Sequence, residues 1–233
     1  MVEMTRLSAL NLKGSIPIQA PALDRIESTC KGFVLIEMDT LFPVPENMLT
    51  PREAARVDKF GPRRRKSFTA ARVALKELAY KLGLVEGDAQ ASNIETLDAN
   101  GVRPVLPASG VYSSVSHDDI FVVAVANDKP IGVDIEPISD KAARGWHIFM
   151  SLSERCVISE TGLGTDRTVL RAWTMKEAAA KALDLDLVQA WREVQVLRIG
   201  VEKSLARVKG RETPVTHLEI QGHVLSLFTF DDV

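Results

Sequence analysis

The sequence contains few cysteines and has no excess of either charge. Its 233 residues include only Cys30 and Cys156, too few for a disulfide framework or a four-ligand zinc site. Lysine and arginine number 29 against 31 aspartates and glutamates, a formal net charge of −2. Proteins that coat nucleic acid or bind membranes through basic surfaces need a large positive field, so neither class fits this chain. Any polyanion must therefore meet a local basic patch.

Long apolar runs are missing as well. The longest purely apolar run, from Ile120 to Ala126, is far shorter than the roughly 20 residues that a membrane-spanning helix needs. Charged residues at Glu3, Arg6 and Lys13 interrupt the N-terminus before the apolar core of a signal peptide could form. With 45% hydrophobic and 26% charged residues, the composition is that of a soluble globular protein. We therefore expect a cytoplasmic protein without a membrane span.

The order of the predicted elements indicates an α+β fold. Strand-like and helical segments alternate in two rounds. The first round is Gly32 to Asp39 (strand), Thr50-Pro51 opening a helix, and Ser67 to Leu82 (helix). The second is Val111 to Val115, Ile120 to Ala126 and Ile131 to Ile138 (strands), Ala142 to Ser159 and Arg167 to Leu183 (helices), and three closing antiparallel strands, Val194 to Gly200, Val201 to Val208 and His223 to Phe230. The repeated order predicts two strand-plus-helix halves, 1–126 and 127–233, although no clear internal sequence repeat accompanies it.

Two acids stand on one face of a predicted strand. Strict alternation over 131–136 directs Ile131, Val133 and Ile135 to one face, and Asp134 and Glu136 to the other. A close pair of carboxylates is costly unless a cation neutralises it, and hard oxygen ligands suit Mg²⁺. The alternative is an ordinary solvated strand face.

A predicted helix carries a further acid and two lysines. Glu177 and Lys181 are four residues apart on one face, with three alanines between them and Lys176 just before. An isolated pair of this kind is usually a surface ion pair of little energetic value. Together with Asp134 and Glu136, however, Glu177 would complete three carboxylates around one Mg²⁺, with lysines beside it. Such a set is typical of phosphoryl transfer.

These segments resemble a known family. The run Gly132-Val133-Asp134-Ile135-Glu136, followed by Trp173-Thr174-Met175-Lys176-Glu177 and Lys181, is similar to the 4′-phosphopantetheinyl transferases. The resemblance is to the larger monomeric type that activates nonribosomal peptide and polyketide synthases. Ser114 to His117, Gly101 to Pro104 and Phe149 to Glu154 resemble three further family segments, so the similarity covers roughly residues 50 to 185.

The resemblance implies roles for individual residues. It assigns Asp134, Glu136 and Glu177 to Mg²⁺, for which Mn²⁺ could substitute, and Glu177, Lys181 and Glu154 to catalysis, with the base left open between Glu177 and Glu154. Coenzyme A would be bound by a set of cations and polar side chains, namely Arg52, Arg103, Ser116, His117, Lys176 and Lys181. The coenzyme's phosphates require cations, which is the chemical reason for this choice.

The resemblance also implies a fold and a reaction. Two similar halves would be related by a pseudo-twofold axis, with the active-site cleft between them. A serine of an apo acyl or peptidyl carrier protein would attack the β-phosphate of coenzyme A, so that phosphopantetheine is transferred and adenosine 3′,5′-bisphosphate leaves, as in a holo-[acyl-carrier-protein] synthase. We expect a monomer without nucleic-acid or membrane partners, whose carrier protein docks on local cations and on exposed apolar residues. Phe149, Met150 and Leu152 are the candidates for this face; the alternative, favoured for at least two of them, is that they pack in the core.

One departure from the family and two rival functions remain. The family usually continues A-x-G-x-G after the lysine, whereas this chain has Ala182 to Asp186 without glycine, which leaves the local turn geometry open. A Mg²⁺-dependent phosphodiesterase would also need clustered carboxylates with a lysine. A coenzyme A-binding module without turnover is the non-enzymatic alternative. Metal-dependent hydrolysis of simple phosphodiesters would favour the first, and coenzyme binding without transfer the second.

Overall fold

The computed structural model describes residues 20–44, 46–86, 89–101 and 103–231. The part of the N-terminal extension before residue 20 lies outside the described residues. The helices are α1 (Ala20–Glu27), α2 (Met38–Leu41), α3 (Pro51–Val57), α4 (Pro62–Lys81), α5 (Asp140–Phe149), α6 (Leu152–Arg155), α7 (Thr165–Leu183) and α8 (Leu187–Glu193). The strands are β1 (Gly32–Glu37), β2 (Tyr112–His117), β3 (Phe121–Asn127), β4 (Ile131–Pro137), β5 (Gln195–Arg198), β6 (Lys203–Val208), β7 (Arg211–Ile220) and β8 (His223–Thr229).

The strands form two antiparallel sheets. The first has three strands in the order β1-β3-β2, and the second has five in the order β4-β8-β7-β6-β5. The mixture of helices and antiparallel sheets confirms the α+β class that the element order predicted.

Apolar side chains arrange these elements in four layers. One buried cluster joins α4 to the first sheet, and another joins α7 to the second sheet. A third cluster lies between the two sheets and contains Phe33, Phe121, Val133 and Leu225. The layers therefore follow the order helix, sheet, sheet, helix, with β4 between the central apolar layer and α7.

Strand β4 has the predicted alternation, but it is buried on both faces. Ile131, Val133 and Ile135 belong to the central apolar cluster, while Asp134 and Glu136 face the α7 side. Helix α7 approaches closely because Gly132 has no side chain: a Cβ atom there would lie 1.8 Å from the Ala178 carbonyl oxygen. A freely solvated face for these acids is therefore excluded.

Three predicted segments differ from the structure. The helix expected over 142–159 ends at Phe149, because Ser151 caps a new short helix, α6, by accepting a hydrogen bond from the Glu154 N–H. Helix α4 begins at Pro62, earlier than the predicted Ser67. Strand β7 was not predicted, since Pro214 and several polar residues are atypical of a strand. In the described part of the chain, no helix is long and apolar enough to cross a membrane.

Candidate active site

The contact between β4 and α7 brings together the acids that the sequence singled out. Asp134 is buried, and its Oδ1 accepts hydrogen bonds from the Ser116 hydroxyl at 2.9 Å and from Lys181 Nζ at 2.8 Å. Glu136 is two residues further along the strand, and Glu177 lies on α7 close enough to interact electrostatically with both aspartate and glutamate. Three carboxylates and one ammonium group thus share this site.

Lys181 connects the helix to the strand. Its Nζ donates to the Val133 carbonyl oxygen at 2.9 Å as well as to Asp134. The sequence had suggested a partner one helical turn away, Glu177, but the structure directs the ammonium group across to β4. Lys181 therefore fixes the register of α7 on β4 and neutralises Asp134.

Burial and mutual repulsion shift the pKa values of two of these acids. The pKa of Glu177 is raised to about 7, first by removal from water and then by the charge of Asp134. The pKa of Glu136 is also raised to about 7 by the same two causes in the same order. The Lys181 ammonium opposes both shifts without cancelling them. Each carboxyl is therefore poised to gain or lose a proton, or to bind a cation, near neutral pH.

The donor set fits a hard divalent cation. Asp134 Oδ2 is buried and has no hydrogen-bond partner among the described residues, and the neighbouring carboxyls of Glu136 and Glu177 are held in unfavourable proximity. Oxygen ligands of this type suit Mg²⁺. Among residues 20–44, 46–86, 89–101 and 103–231, however, no three Asp, Glu, His or Cys side chains already form a metal-binding group. Lys181 occupies one side of Asp134 instead.

Two serines of β2 join the two sheets beside this site. The Ser114 hydroxyl oxygen accepts the Val133 N–H at 3.2 Å, and that of Ser116 accepts the Ile135 N–H at 3.4 Å. They satisfy backbone donors along the edge of β4 that no strand pairs. Ser116 also bonds Asp134, so this candidate coenzyme contact holds an aspartate of the predicted metal site in this structure. The sequence analysis did not predict that Ser114 has a structural role, although the alternation of Ser114 and Ser116 along the strand was a signal for it.

His117 stands next to the acids at the end of β2. Its pKa is lowered, first by partial removal from water and then by the Lys181 ammonium, against the opposing charges of Asp118 and Asp134. The ring is consequently neutral at physiological pH and able to donate or accept a hydrogen bond there.

Arginines gather at the loop that precedes β2. Arg52 Nη2 donates to the Asp98 carbonyl oxygen at 2.6 Å, and a Cβ atom on Gly101, which has a φ of +69°, would lie 3.2 Å from Arg56 Nη1. Arg103 is on the same loop and pairs with Asp184 at the end of α7. The two predicted coenzyme cations, Arg52 of α3 and Arg103 of the loop, thus lie in one cationic region that reaches the C-terminal end of α7.

Asp184 stands where the family usually has glycine. It is the C-cap of α7 and adopts a left-handed conformation, with φ 58° and ψ 39°. Glycine favours this conformation, but aspartate tolerates it better than most residues. The turn geometry is therefore kept without glycine. The aspartate adds a carboxylate that binds Arg103, a contact that the sequence did not predict.

Glu154 and Lys176 form a separate, buried ion pair. Lys176 Nζ lies 2.7 Å from Glu154 Oε1, and their side chains are 1% and 2% exposed. Glu154 also accepts the N–H groups of Ser151 and Val196, and Lys176 donates to the Trp191 carbonyl oxygen. The structure thus pairs these two predicted site residues with each other.

Only one of the three expected carrier-docking residues is exposed. Phe149 and Met150 are buried, and the Phe149 ring packs edge to face on Trp173 with centroids 5.1 Å apart. Leu152 is 77% exposed. The alternative that at least two of the three residues pack in the core is therefore confirmed, because Phe149 and Met150 belong to the core under α7, and Leu152 stays a candidate for docking.

Family models match two parts of the chain. Residues 130–227 match the model of the 4′-phosphopantetheinyl transferase superfamily, and residues 52–127 match the model of the 4′-phosphopantetheinyl transferase N-terminal domain. The chain is therefore a transferase by family. It belongs to the 4′-phosphopantetheinyl transferases, in the larger form that carries an N-terminal domain.

Individual relatives have low sequence identity to this chain. Enterobactin synthase component D of Escherichia coli (strain K12) is 27% identical over 168 residues, which are 70% of this chain and 75% of that protein. The same component of Shigella flexneri is 26% identical over 168 residues. A solved holo-(acyl-carrier-protein) synthase from Bacillus anthracis str. Ames, in complex with CoA (3′,5′-ADP), is 26% identical. It covers 41% of this chain and 90% of its own, with a TM-score of 0.34.

Proposed function

We propose that this protein transfers the 4′-phosphopantetheine group from coenzyme A to a serine of an apo acyl or peptidyl carrier protein. The observation that carries the proposal is the grouping of Asp134, Glu136, Glu177 and Lys181 between β4 and α7, in a chain of the 4′-phosphopantetheinyl transferase family. With a divalent cation bound to its carboxylates, this grouping could neutralise charge on a pyrophosphate and accept a proton in one place.

The proposed reaction exchanges one phosphorus–oxygen bond for another. The serine oxygen of the carrier bonds to the β-phosphorus of coenzyme A while the bond from that phosphorus to the bridging oxygen breaks. Adenosine 3′,5′-bisphosphate leaves, and the serine proton passes to the protein. Bound Mg²⁺, or Mn²⁺ in its place, would be held by Asp134, Glu136 and Glu177, and would neutralise negative charge on the pyrophosphate oxygens.

Glu177 is the better candidate for the proton acceptor. It lies among the acids that would meet the pyrophosphate, and burial with the charge of Asp134 raises its pKa to about 7 in the metal-free protein. A bound cation would lower this pKa, so the role rests on the position of Glu177. Glu154, the other carboxylate considered, is buried and already accepts two backbone N–H groups and the Lys176 ammonium. Lys181 would stabilise charge on the leaving phosphate, since its ammonium group is partly exposed next to the acids.

The coenzyme would lie between the two halves of the chain. We propose that residues 1–126 and 127–233 form these halves, related by a pseudo-twofold axis and acting within one monomer in the cytoplasm. In support, each half combines one sheet with one long helix, α4 or α7. Arg52 of α3 and Arg103 of the neighbouring loop, together with His117, would bind the phosphates on the N-terminal side of the acids.

The decisive experiment measures transfer by intact mass. The protein is incubated with coenzyme A, Mg²⁺ and a panel of apo carrier proteins, and each carrier should gain the mass of one phosphopantetheine if it is a substrate. A carrier with its serine changed to alanine, and the Glu177→Gln enzyme, are the controls that should show no gain. Folded wild-type protein that modifies no carrier would reject the proposal. Hydrolysis of simple phosphodiesters in the same assays would favour the phosphodiesterase alternative.

A further inference from the structure

Among the described residues, two glutamate–lysine ion pairs are fully buried, one at each long helix. Lys76 of α4 lies 2.6 Å from Glu53, and both side chains are 0% exposed. Lys176 of α7 lies 2.7 Å from Glu154. Buried ion pairs are costly to form, so two of them in corresponding places call for a structural explanation.

Both glutamates have the same local role. Glu53 closes a capping box with Thr50 at the start of α3, and Glu154 closes one with Ser151 at the start of α6. In each case the carboxylate accepts the backbone N–H of the capping residue, while the hydroxyl of that residue accepts the glutamate N–H. These hydrogen bonds hold each glutamate side chain in one rotamer, in which it also contacts its lysine.

The same carboxylates also hold a distant segment. Glu53 Oε1 accepts the Thr96 N–H at 3.1 Å, and Glu154 Oε1 accepts the Val196 N–H at 2.8 Å. Thr96 follows Lys76, and Val196 follows Lys176, at the same distance along the chain. Each carboxylate thus accepts from three kinds of donor, which are the capping residue's N–H, the lysine and the N–H of the distant segment. Neither carboxylate has an oxygen left without a partner.

The lysines repeat this correspondence. Lys76 Nζ donates to the Ala91 carbonyl oxygen at 2.8 Å, and Lys176 Nζ donates to the Trp191 carbonyl oxygen at 3.0 Å. Ala91 and Trp191 again lie at equal distances beyond their lysines. Burial lowers the pKa of both lysines, and the paired glutamate opposes this shift in each case.

A second lysine on each helix contacts the strand beneath it. Lys81 of α4 donates to the Phe33 carbonyl oxygen of β1 at 3.0 Å. Lys181 of α7 donates to the Val133 carbonyl oxygen of β4 at 2.9 Å. Lys81 and Lys181, Phe33 and Val133, and the buried lysines Lys76 and Lys176 are all separated by the same number of residues, and the buried glutamates Glu53 and Glu154 by one residue more.

The two halves differ where the acids of the candidate active site stand. The positions on β1 that correspond to Asp134 and Glu136 are Val34 and Ile36, which belong to the apolar cluster under α4. The N-terminal half thus has the buried pair and the lysine–carbonyl bond but lacks these acids. The buried pair therefore has a structural role, which is to hold a helix in place, and it occurs without active-site acids nearby.

We infer that Glu154 and Lys176 are positioning residues, which hold α7 on α6 and β5 so that Glu177 and Lys181 face β4. This inference rests on the proposed function. Neighbouring helical residues point about 100° apart, so anchoring Lys176 on one side of α7 fixes the direction of Glu177 on another. Neither Glu154 nor Lys176 takes the serine proton or binds coenzyme A.

The test compares the pair in the C-terminal half with its counterpart in the N-terminal half. Glu154→Gln, Lys176→Met and the double variant are compared with Glu53→Gln, which breaks the equivalent pair away from the acids. We expect Glu154→Gln and Lys176→Met each to lower kcat by less than about 30-fold, to change the KM for coenzyme A by less than about twofold, and to leave the pH dependence of kcat unchanged. Glu53→Gln should lower the melting temperature similarly, without a change of kcat at saturating coenzyme A.

Several results would overturn the inference. A general base contributes roughly 10²–10⁴-fold to the rate, so a loss of that size in Glu154→Gln, with a vanished limb of the pH profile, would make Glu154 the base. A tenfold or larger rise in the KM for coenzyme A in Lys176→Met would make Lys176 a coenzyme ligand. An equal loss of kcat in Glu53→Gln would show that general destabilisation alone explains the effect.

Thermal unfolding separates this inference from the proposed function. If wild-type protein modifies no carrier, the proposed function fails, and the positioning role fails with it. The buried pair itself is still tested by melting temperatures. The double variant should lose no more than the worse single variant, because each single change leaves a buried charge unpaired. Additive losses would show that the two residues do not form a coupled pair.

Discussion

Lys181 donates hydrogen bonds to both the main chain and the side chain of β4, at the Val133 carbonyl oxygen and at Asp134 Oδ1. The first contact has a counterpart at Lys81 in the other half, whereas the second has none, because valine replaces the aspartate there. The site thus adds acids to an existing helix-to-strand contact. The Lys181 ammonium group neutralises Asp134 directly, so the negative charges of Glu136 and Glu177 are only partly compensated.

That imbalance predicts how the protein responds to pH when no divalent cation is present. The native pKa of Glu177 is about 7, above the unfolded value of 4.5. Between pH 4.5 and 7 the native state therefore binds more protons than the unfolded state does. Stability is therefore lost as the pH rises from 4.5 through 7. We expect Glu177→Gln to raise the melting temperature at pH 8 relative to wild type, but not at pH 5.

Chemical or thermal unfolding in EDTA at the two pH values measures this effect, which should be on the order of 1 kcal/mol at pH 8. Glu160→Gln removes an exposed acid and serves as the matched control, with no pH-dependent gain. A Glu177→Gln protein that is destabilised equally at both pH values would contradict the proposed crowding of negative charge.

The close approach of α7 to β4 gives a second prediction. An alanine at position 132 would place its Cβ 1.8 Å from the Ala178 carbonyl oxygen and 2.8 Å from the Ala182 nitrogen, both backbone atoms that cannot move alone. Gly132→Ala should therefore cost about 3 kcal/mol of stability and lower activity by moving Glu177 away from Asp134. Urea denaturation and the transfer assay measure the two effects.

Gly32→Ala is the matched control on β1. Its Cβ would meet the Leu78 Cδ1 atom at 2.8 Å and methyl groups of Leu82 at 3.0 Å, which are the mobile ends of side chains. It should cost about 1 kcal/mol and leave kcat unchanged. Equal destabilisation by the two variants would mean that the backbone contact at Gly132 has no special importance.

The sequence predicted the parts of the site that depend on periodicity. Alternation in β4 placed Asp134 and Glu136 on one face, and helical spacing placed Glu177 and Lys181 together. It could not predict which charges pair, since Lys181 selects Asp134 over the glutamate on its own helix. That choice depends on how closely α7 approaches β4.

The correspondence between the halves was also missed at the level of sequence. Lys76-Glu77 and Lys81 have the same spacing as Lys176-Glu177 and Lys181, but the residues around them differ in size because one helix packs on an apolar strand and the other on acids. The contacts of these lysines recur in both halves at corresponding positions, although the surrounding sequences show no clear repeat. The signal lay in the charged positions alone.

Asp184 gives a third prediction, which rests on the proposed coenzyme site. A left-handed aspartate costs roughly 1 kcal/mol relative to glycine, and its ion pair with Arg103 is exposed at both ends, so it contributes little stability. Asp184→Gly should keep or raise the melting temperature. It should also lower the KM for coenzyme A severalfold, because Arg103 is then free to bind a phosphate.

Asp184→Asn separates the two effects, since asparagine tolerates the left-handed conformation but cannot form the ion pair. It should lower the KM for coenzyme A as much as Asp184→Gly does, without a gain in stability. Unchanged KM values in both variants would show that Arg103 does not bind the coenzyme.

The buried histidine of β7 predicts sensitivity to acid. His217 Nε2 lies 2.6 Å from the Ser204 hydroxyl oxygen and Nδ1 lies 2.8 Å from that of Ser226. Burial, with a smaller effect of Arg171, lowers its pKa from 6.5 to about 3. Between pH 3 and pH 6.5 the unfolded state binds a proton that the native state does not. This contribution to stability is therefore complete above pH 6.5 and is lost as the pH falls, by roughly 1.4 kcal/mol per pH unit.

Urea denaturation between pH 7.5 and 4.5 measures this effect. The free energy of unfolding should fall less steeply with decreasing pH for His217→Gln than for wild type, and His217→Gln should be less stable at pH 7.5. His147→Gln, at an exposed histidine, should keep the wild-type slope, and a wild-type slope in His217→Gln would show that this histidine is not the group responsible.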